Sequence, residues 1–241
     1  CSRRGRAQKN ELKPWQVKSW NIPKPGARFV AKMEDVLDVY QRPYDPEYPQ
    51  VCVDEISKTL RSTPRGSLPL EPGQPVREDY EYKRQGQCAL FLAIEPLQGF
   101  RRVWVSPQRT KLDFALILKE LVDVVYPDAK KIVLVVDNLN IHHPACLYER
   151  FPPAEARRIA AKIEWHYTPE HASWLNIAEC ELSVLRRQCL KSRIADIQTV
   201  TEKAIAWQIQ RNEKQVGVDW RFTTEDARIK LKRLYPIVKV Q

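Results

Sequence analysis

The chain has 241 residues, 43% of them hydrophobic, and carries 40 Lys and Arg against 30 Asp and Glu, a formal net charge of +10. That length holds one large α/β domain or two small ones with a real core, and no apolar run approaches the ~18 residues that cross a bilayer, so the sequence predicts neither a membrane span nor a signal peptide. The basic balance fits a polyanionic partner or simply a solvated surface, and six cysteines without a CxxC pair read as reduced, mostly buried thiols of a cytosolic protein with no disulfide framework and no common zinc pattern.

Residues 1–27 are basic and polar, too short for a domain, and Cys rather than Met stands first. They read as a linker, the tail of a missing upstream region. In "RFVAKMEDVLDVYQ" (28–41), Val30, Met33, Leu37 and Tyr40 recur at helical spacing, and Pro43, Pro46 and Pro49 stop the helix. "QVCVDEIS" (50–57) is a strand that ends on Asp54 and Glu55. A Pro-rich excursion follows at about 58–84; loops of that length inside a domain are functional or disordered.

"QCALFLAIEP" and "GFRRVWVSPQ" are two strands joined at Gln98-Gly99. Thr110 and Asp113 make a capping box for the helix "KLDFALILKELVDVVY", with Phe114, Leu118, Leu121 and Val125 on one stripe. The strand "KIVLVV" runs into Asp137. Short helices are expected near Pro144 and over "PAEARRIAAKI", then a strand "EWHYTP" (164–169), a helix "ASWLNIAECELSVLRRQCL" (172–190) and a helix "DIQTVTEKAIAWQIQRNE". Thr223 and Asp226 form a second capping box before "ARIKLKRLY". Trp104, Trp165 and Trp207 read as core, and Trp174 as packing at a helix end. Five strands with alternating helices predict an α/β fold: a mixed sheet flanked by helices on both faces.

Two strands end on acids, Asp54 and Asp137. If the strands are neighbours, about 4.8 Å apart, the carboxylates face each other. Two such groups resist joint ionisation unless a hard divalent cation sits between them, and a pair of ions about 3.5–4 Å apart can drive phosphodiester chemistry. The plainer reading is that each acid simply caps a strand end in solvent. A third ligand is available on the helix after the last strand, where Glu179 and Glu181 flank the apolar stripe on opposite sides, so periodicity does not choose between them.

"CVDE", "VVDNLNIH" and "HYTPEHASWLNIAECELSVL", with "KPWQVKSW", "YEYKRQG" and "RFTTEDARIKLKRLYP", resemble the DDE transposases of the bacterial insertion-sequence branch of the mariner superfamily, from about Lys13 to Pro236. The resemblance implies a ribonuclease H-like catalytic domain over 28–241 with a clamp-like insertion at about 58–84, and an upstream helix-turn-helix region. It assigns Asp54, Asp137 and, after "WLN" and two further residues, Glu179 as catalytic metal ligands for two Mg²⁺, with Mn²⁺ as substitute. The spacing from Asp137 to Glu179 exceeds that of the best-known mariner enzymes; the extra length falls in "PPAEARRIAAKI".

The implied partners are double-stranded DNA, both terminal inverted repeats and a target with a TA dinucleotide, and a second copy of the chain, without a small-molecule cofactor. Arg77, Tyr80 and Tyr82 in the insertion are the expected dimer contacts. Basic clusters occur at Arg3, Arg4, Arg6, Lys9; at Arg101, Arg102, Arg109, Lys111; at Arg186, Arg187, Lys191, Arg193; and at Lys230, Lys232, Arg233. From these and the loop after Asp137, the candidate DNA contacts are Arg186, Arg187, His142, Asn140, Arg109 and Lys111, with Arg186 on the same helix face as Glu179 and His142 alternatively supporting the metal ligands from behind. The rival readings are a ribonuclease H-like nuclease or resolvase, and a non-catalytic DNA-binding remnant of a transposase.

Overall fold

The computed structural model describes residues 26–64 and 81–237. Its strands β1 (Gln50–Ser62), β2 (Lys83–Glu95), β3 (Phe100–Ser106), β4 (Ile132–Val136) and β5 (Ile163–Tyr167) form one sheet in the order β3-β2-β1-β4-β5. β1, β2 and β3 make an antiparallel meander, and β4 and β5 add in parallel to β1. The helices are α1 (Ala27–Gln41), α2 (Lys111–Glu120), α3 (Ala145–Arg150), α4 (Pro153–Ala161), α5 (Ile177–Gln188), α6 (Ile197–Glu213) and α7 (Thr224–Lys230). The expected mixed sheet with a helical layer on each face is what forms. Among the described residues no helix is long and apolar enough to cross a membrane.

Period-two alternation divides the core. Leu90, Leu92 and Ile94 of β2, with Cys52, Val133 and Val135, pack under α1, α5 and α6. Ala89, Phe91 and Ala93, with Val51, Val53, Leu134 and Val136, pack under α2, α3 and α4. Because β4 is buried on both faces, it is a continuous apolar run. Both capping boxes form as the sequence predicts.

Three local expectations change. β1 does not end on its acids: it continues to Ser62, paired with β2 as far as Lys83 and slipping register between Leu60 and Arg61. The Pro-rich excursion is therefore shorter than predicted at both ends; Arg77 and Tyr80 lie outside the described residues, as do residues 1–25. The helix predicted over 172–190 begins at Ile177, after a 3₁₀ turn at Ser173–Leu175 that leaves Trp174 41% exposed rather than packed. Arg101, read with a surface basic cluster, is fully buried. Its guanidinium donates to Glu181 of α5 at 2.8 Å, Arg211 of α6 meets the same carboxylate at 2.8 Å, and Asn212 brackets the Arg101 backbone. This network seats α5 and α6 on β3. Gly99, at φ +66°, makes the preceding turn, where a Cβ would lie 2.5 Å from the Gln215 backbone.

α1 is held to β5 by His166, which lies 2.8 Å from Asp35 and 2.9 Å from Glu164. Burial opposes a charge on His166, but the two carboxylates outweigh it and raise its pKa above the ordinary value. The folded chain thus holds this proton more tightly than the unfolded one. The contribution is complete below about pH 6.5 and is lost as pH rises through the folded value. In urea unfolding, the stability advantage of the wild type over His166→Gln is accordingly expected at pH 6 and shrinks by pH 9.

Candidate active site

The parallel pairing of β1 with β4 places Cys52 opposite Val135. Two residues further along each strand come Asp54 and Asp137, so both acids stand at one level, on neighbouring strands, on the sheet face that Cys52 and Val135 share with α5. Asp137 follows the last residue of β4 directly, whereas Asp54 sits where β1 parts from β4 while still paired to β2.

Asn176 brings in the third acid. Wholly buried, its side-chain oxygen accepts from the Ala178 N–H at 3.1 Å and caps α5, while its amide donates to the Val53 carbonyl at 3.0 Å. The first turn of α5 is thereby fastened to the backbone beside Asp54. Tyr40 of α1 adds a second tie, its hydroxyl donating to the Leu175 carbonyl at 2.7 Å. Glu179 and Glu181 then differ in a way that periodicity did not reveal. Glu181 is buried and committed to Arg101 and Arg211, whereas Glu179 is exposed and lines a cleft of about 350 Å³ together with Asp54, Glu55, Asp137, Arg109 and Arg186.

Behind the aspartates lies a chain of ionisable groups. His142, 1% exposed and packed on the Phe114 ring, puts Nδ1 2.6 Å from Asp137 Oδ1 and Nε2 2.9 Å from Glu55 Oε2. The second approach is misaligned for a hydrogen bond and is an ion contact only. Arg109 touches the other Glu55 oxygen at 3.3 Å. Burial alone would strip the proton from His142, but Asp137 and Glu55 hold it and raise its pKa to about 9. Burial would likewise raise Asp137; the bonds from His142 and the Leu139 N–H more than offset it and leave the carboxyl below its ordinary value. Asp54 lacks that support. Burial, with the charges of Glu55 and Asp137, pushes it up to about 7, against a bond from the Glu55 N–H.

The profile of the family described as DDE superfamily endonuclease matches residues 49–201, more than half the chain and all three acids. The chain belongs to the DDE superfamily endonucleases. Among solved structures, the Mos1 strand transfer complex is similar at a TM-score of 0.50 and 15% identity, over 86% of this chain and 67% of that one. The Mos1 mariner paired-end complex with Mn gives a TM-score of 0.48 at 15% identity, over 87% and 68%. The first of these likenesses concerns the fold, which is ribonuclease H-like. No curated protein matches the sequence.

In this DDE endonuclease the predicted DNA contacts separate. Arg186 and Arg109 line the acidic cleft. Arg187 is exposed one position further on, bonded to Ser183 at 3.2 Å. Asn140 is exposed on the loop after Asp137, in a hollow beside Lys32 and Tyr167. Lys111 pairs with Glu149 and lines no part of the cleft. His142, buried between two carboxylates, has no face left for DNA; it steadies Asp137 instead. Tyr82 stands immediately before β2, its ring centroid 4.6 Å from the Arg61 guanidinium. Glu55, which the sequence reading left without a role, is the anchor of His142. The signal was present: in a strand the neighbour of Asp54 must point to the opposite face.

The donor set suits a hard divalent cation. Asp54, Asp137 and Glu179 each offer carboxylate oxygen to the cleft, and Asp54 carries a charge that its surroundings oppose and a cation would relieve. Among the described residues no three His, Cys, Asp or Glu side chains stand within reach of one shared ion; the acids share a cleft without closing into a cluster. The two glutamates are expected to part company under mutation. Glu181→Ala strands two arginines and costs roughly 3–5 kcal/mol, which at about 2–4 °C per kcal/mol for a domain of this size lowers Tm by roughly 10 °C. Glu179→Ala should stay within about 0.5 kcal/mol. Calorimetry of the two variants checks the contrast.

Proposed function

We propose that the chain is the catalytic region of a DDE transposase of the mariner superfamily, from its bacterial insertion-sequence branch. In this reading it cuts DNA at transposon ends and joins the freed 3′-hydroxyl to target DNA at a TA step. The observation that carries the reading is the placement of Asp54 and Asp137 at one level of adjoining parallel strands, with Glu179 across the same cleft. The motif resemblance and the DDE family match support it.

Asp54, Asp137 and Glu179 would hold two Mg²⁺, or Mn²⁺ in their place. Bound cations supply the Lewis acidity that activates a water or hydroxyl and steadies the leaving oxygen of a phosphodiester. The chain's own residues do the rest. His142, held by Glu55, fixes the Asp137 carboxylate and keeps it ionised. Asn176 fixes the first turn of α5. Arg186 and Arg109, with Arg187 and Asn140 nearby, draw phosphate toward an otherwise acidic site. Catalysis on these terms is positioning and charge, with no covalent intermediate. A homodimer with partner contacts from the Pro-rich insertion between β1 and β2, an upstream helix-turn-helix region that reads the inverted repeats, and residence with the bacterial nucleoid complete the reading.

Asp137→Asn, or a chelator added to the wild type, is expected to lower nicking of a transposon-end duplex by on the order of 10³-fold or more while leaving DNA affinity nearly unchanged. Gel assays on end and target duplexes separate cutting from joining. A protein that cuts and never joins is a nuclease or resolvase, and full cleavage by Asp137→Asn removes these acids from the chemistry altogether.

A further inference from the structure

The acidic cleft is not closed at its α5 side. It shares Ile56 and Arg186 with a second hollow of about 450 Å³, which shares Arg61, Arg187 and Lys191 with a third, larger one of about 1170 Å³ running out to Lys203 and Gln210 on α6. The three follow one another along α5 with shared wall residues, as successive stretches of one trough. Its character reverses along the way: four carboxylates line the catalytic end, and among the described residues no carboxylate lines the other two hollows, where Lys58, Arg61, Arg187, Lys191 and Lys203 gather.

The walls are fixed by neutral partners. Lys58 Nζ donates to the Leu190 and Ser192 carbonyls at 2.6 and 2.9 Å, pinning the turn after α5 to β1. Gln188 accepts from the Trp207 indole at 2.7 Å, pinning the end of α5 to α6. Arg61 lies over the Tyr82 ring, and its Nε is buried without a hydrogen-bond partner. Like charges crowd the hollows: partial burial, together with the cations of Arg61 and Arg186, depresses the Lys58 pKa. A concave surface with a rigid frame and, among the described residues, no lining carboxylate suits a polyanion. From Glu179 to Arg186, seven residues at about 1.5 Å rise each advance roughly 10 Å, about three base-pair steps of duplex.

We propose that this trough is a sequence-neutral track for the sugar-phosphate backbone of the DNA flanking the scissile bond, entered at Arg186 and leaving over Lys191 and Lys203. The inference rests on the reading of the chain as a DNA-cutting enzyme and adds the route by which the substrate leaves the cleft.

Fluorescence anisotropy with the whole chain and a labelled duplex of arbitrary sequence, titrated across about 50–200 mM salt in chelator, tests it. At about 0.9 released counterions per phosphate contact, Lys191→Gln/Lys203→Gln should flatten the log–log salt slope by about 2 and raise Kd roughly tenfold at about 100 mM salt. Lys130→Gln, before β4 at the opposite end of the strand, should leave the slope unchanged. A wild-type slope and Kd in the double variant would overturn the track. So would an equal flattening by Lys130→Gln, because the effect would then be one of net charge. Failure of the cleavage reading appears elsewhere, as an active Asp137→Asn, so the two are told apart.

Discussion

Asn176 spans from the N-terminus of α5 to the backbone of β1, and the geometry of the site depends on that reach. The residue is buried with both ends of its amide engaged, one in the helix cap and one on Val53, immediately before Asp54. A buried amide left unpaired costs about 1–3 kcal/mol, so the side chain can be satisfied only when helix and strand are in register. Two elements more than a hundred residues apart in sequence are thus indexed to each other at the point where their acids face. The Arg101–Glu181–Arg211 network does the same at greater depth, fixing the rotation of α5 so that Glu181 turns inward and Glu179 faces the cleft.

Charge in the site is managed by unequal support. Asp137 is held ionised by a buried histidine that is itself held by Glu55, while Asp54 on the adjoining strand is left under strain from burial and its neighbours. In the proposed reading, a bound cation supplies the countercharge that Asp54 lacks. Outside this centre the polarity inverts, and the arginines and lysines at and beyond the end of α5 offer a place for phosphate where the acids would repel it.

Much of the fold was legible in the chain. The strands announced themselves by apolar runs and alternation, α2 and α7 by their capping boxes, and the core face of α1 by its three-and-four spacing. The failures have physical causes. The outer half of β1 is mostly polar and half-buried, and the first residues of β2 are polar and exposed; they are strands because they pair with each other, which no hydrophobic pattern reports. The start of α5 was placed too early because the apolar run "ASWL" reads as helix, while Asn176 diverts the backbone by capping with its own side chain. Arg101 looked like surface charge because its partners come from α5 and α6, distant in sequence. At the site, Asp54 and Asp137 were readable as acids on neighbouring strands. Glu179 needed the motif resemblance, and the anchoring role of Glu55 needed the third dimension.

In the proposed mechanism Asp54, Asp137 and Glu179 act as one cation-binding set, brought together by the β1–β4 pairing and the Asn176 clasp. Anomalous diffraction from crystals soaked in Mn²⁺ tests it most directly. Manganese peaks are expected between the Asp54 and Asp137 carboxylates, with Glu179 turned in from α5 to complete the ligands. Peaks bound elsewhere, or a cleft that stays empty while the carboxylates keep their separate positions, would contradict it.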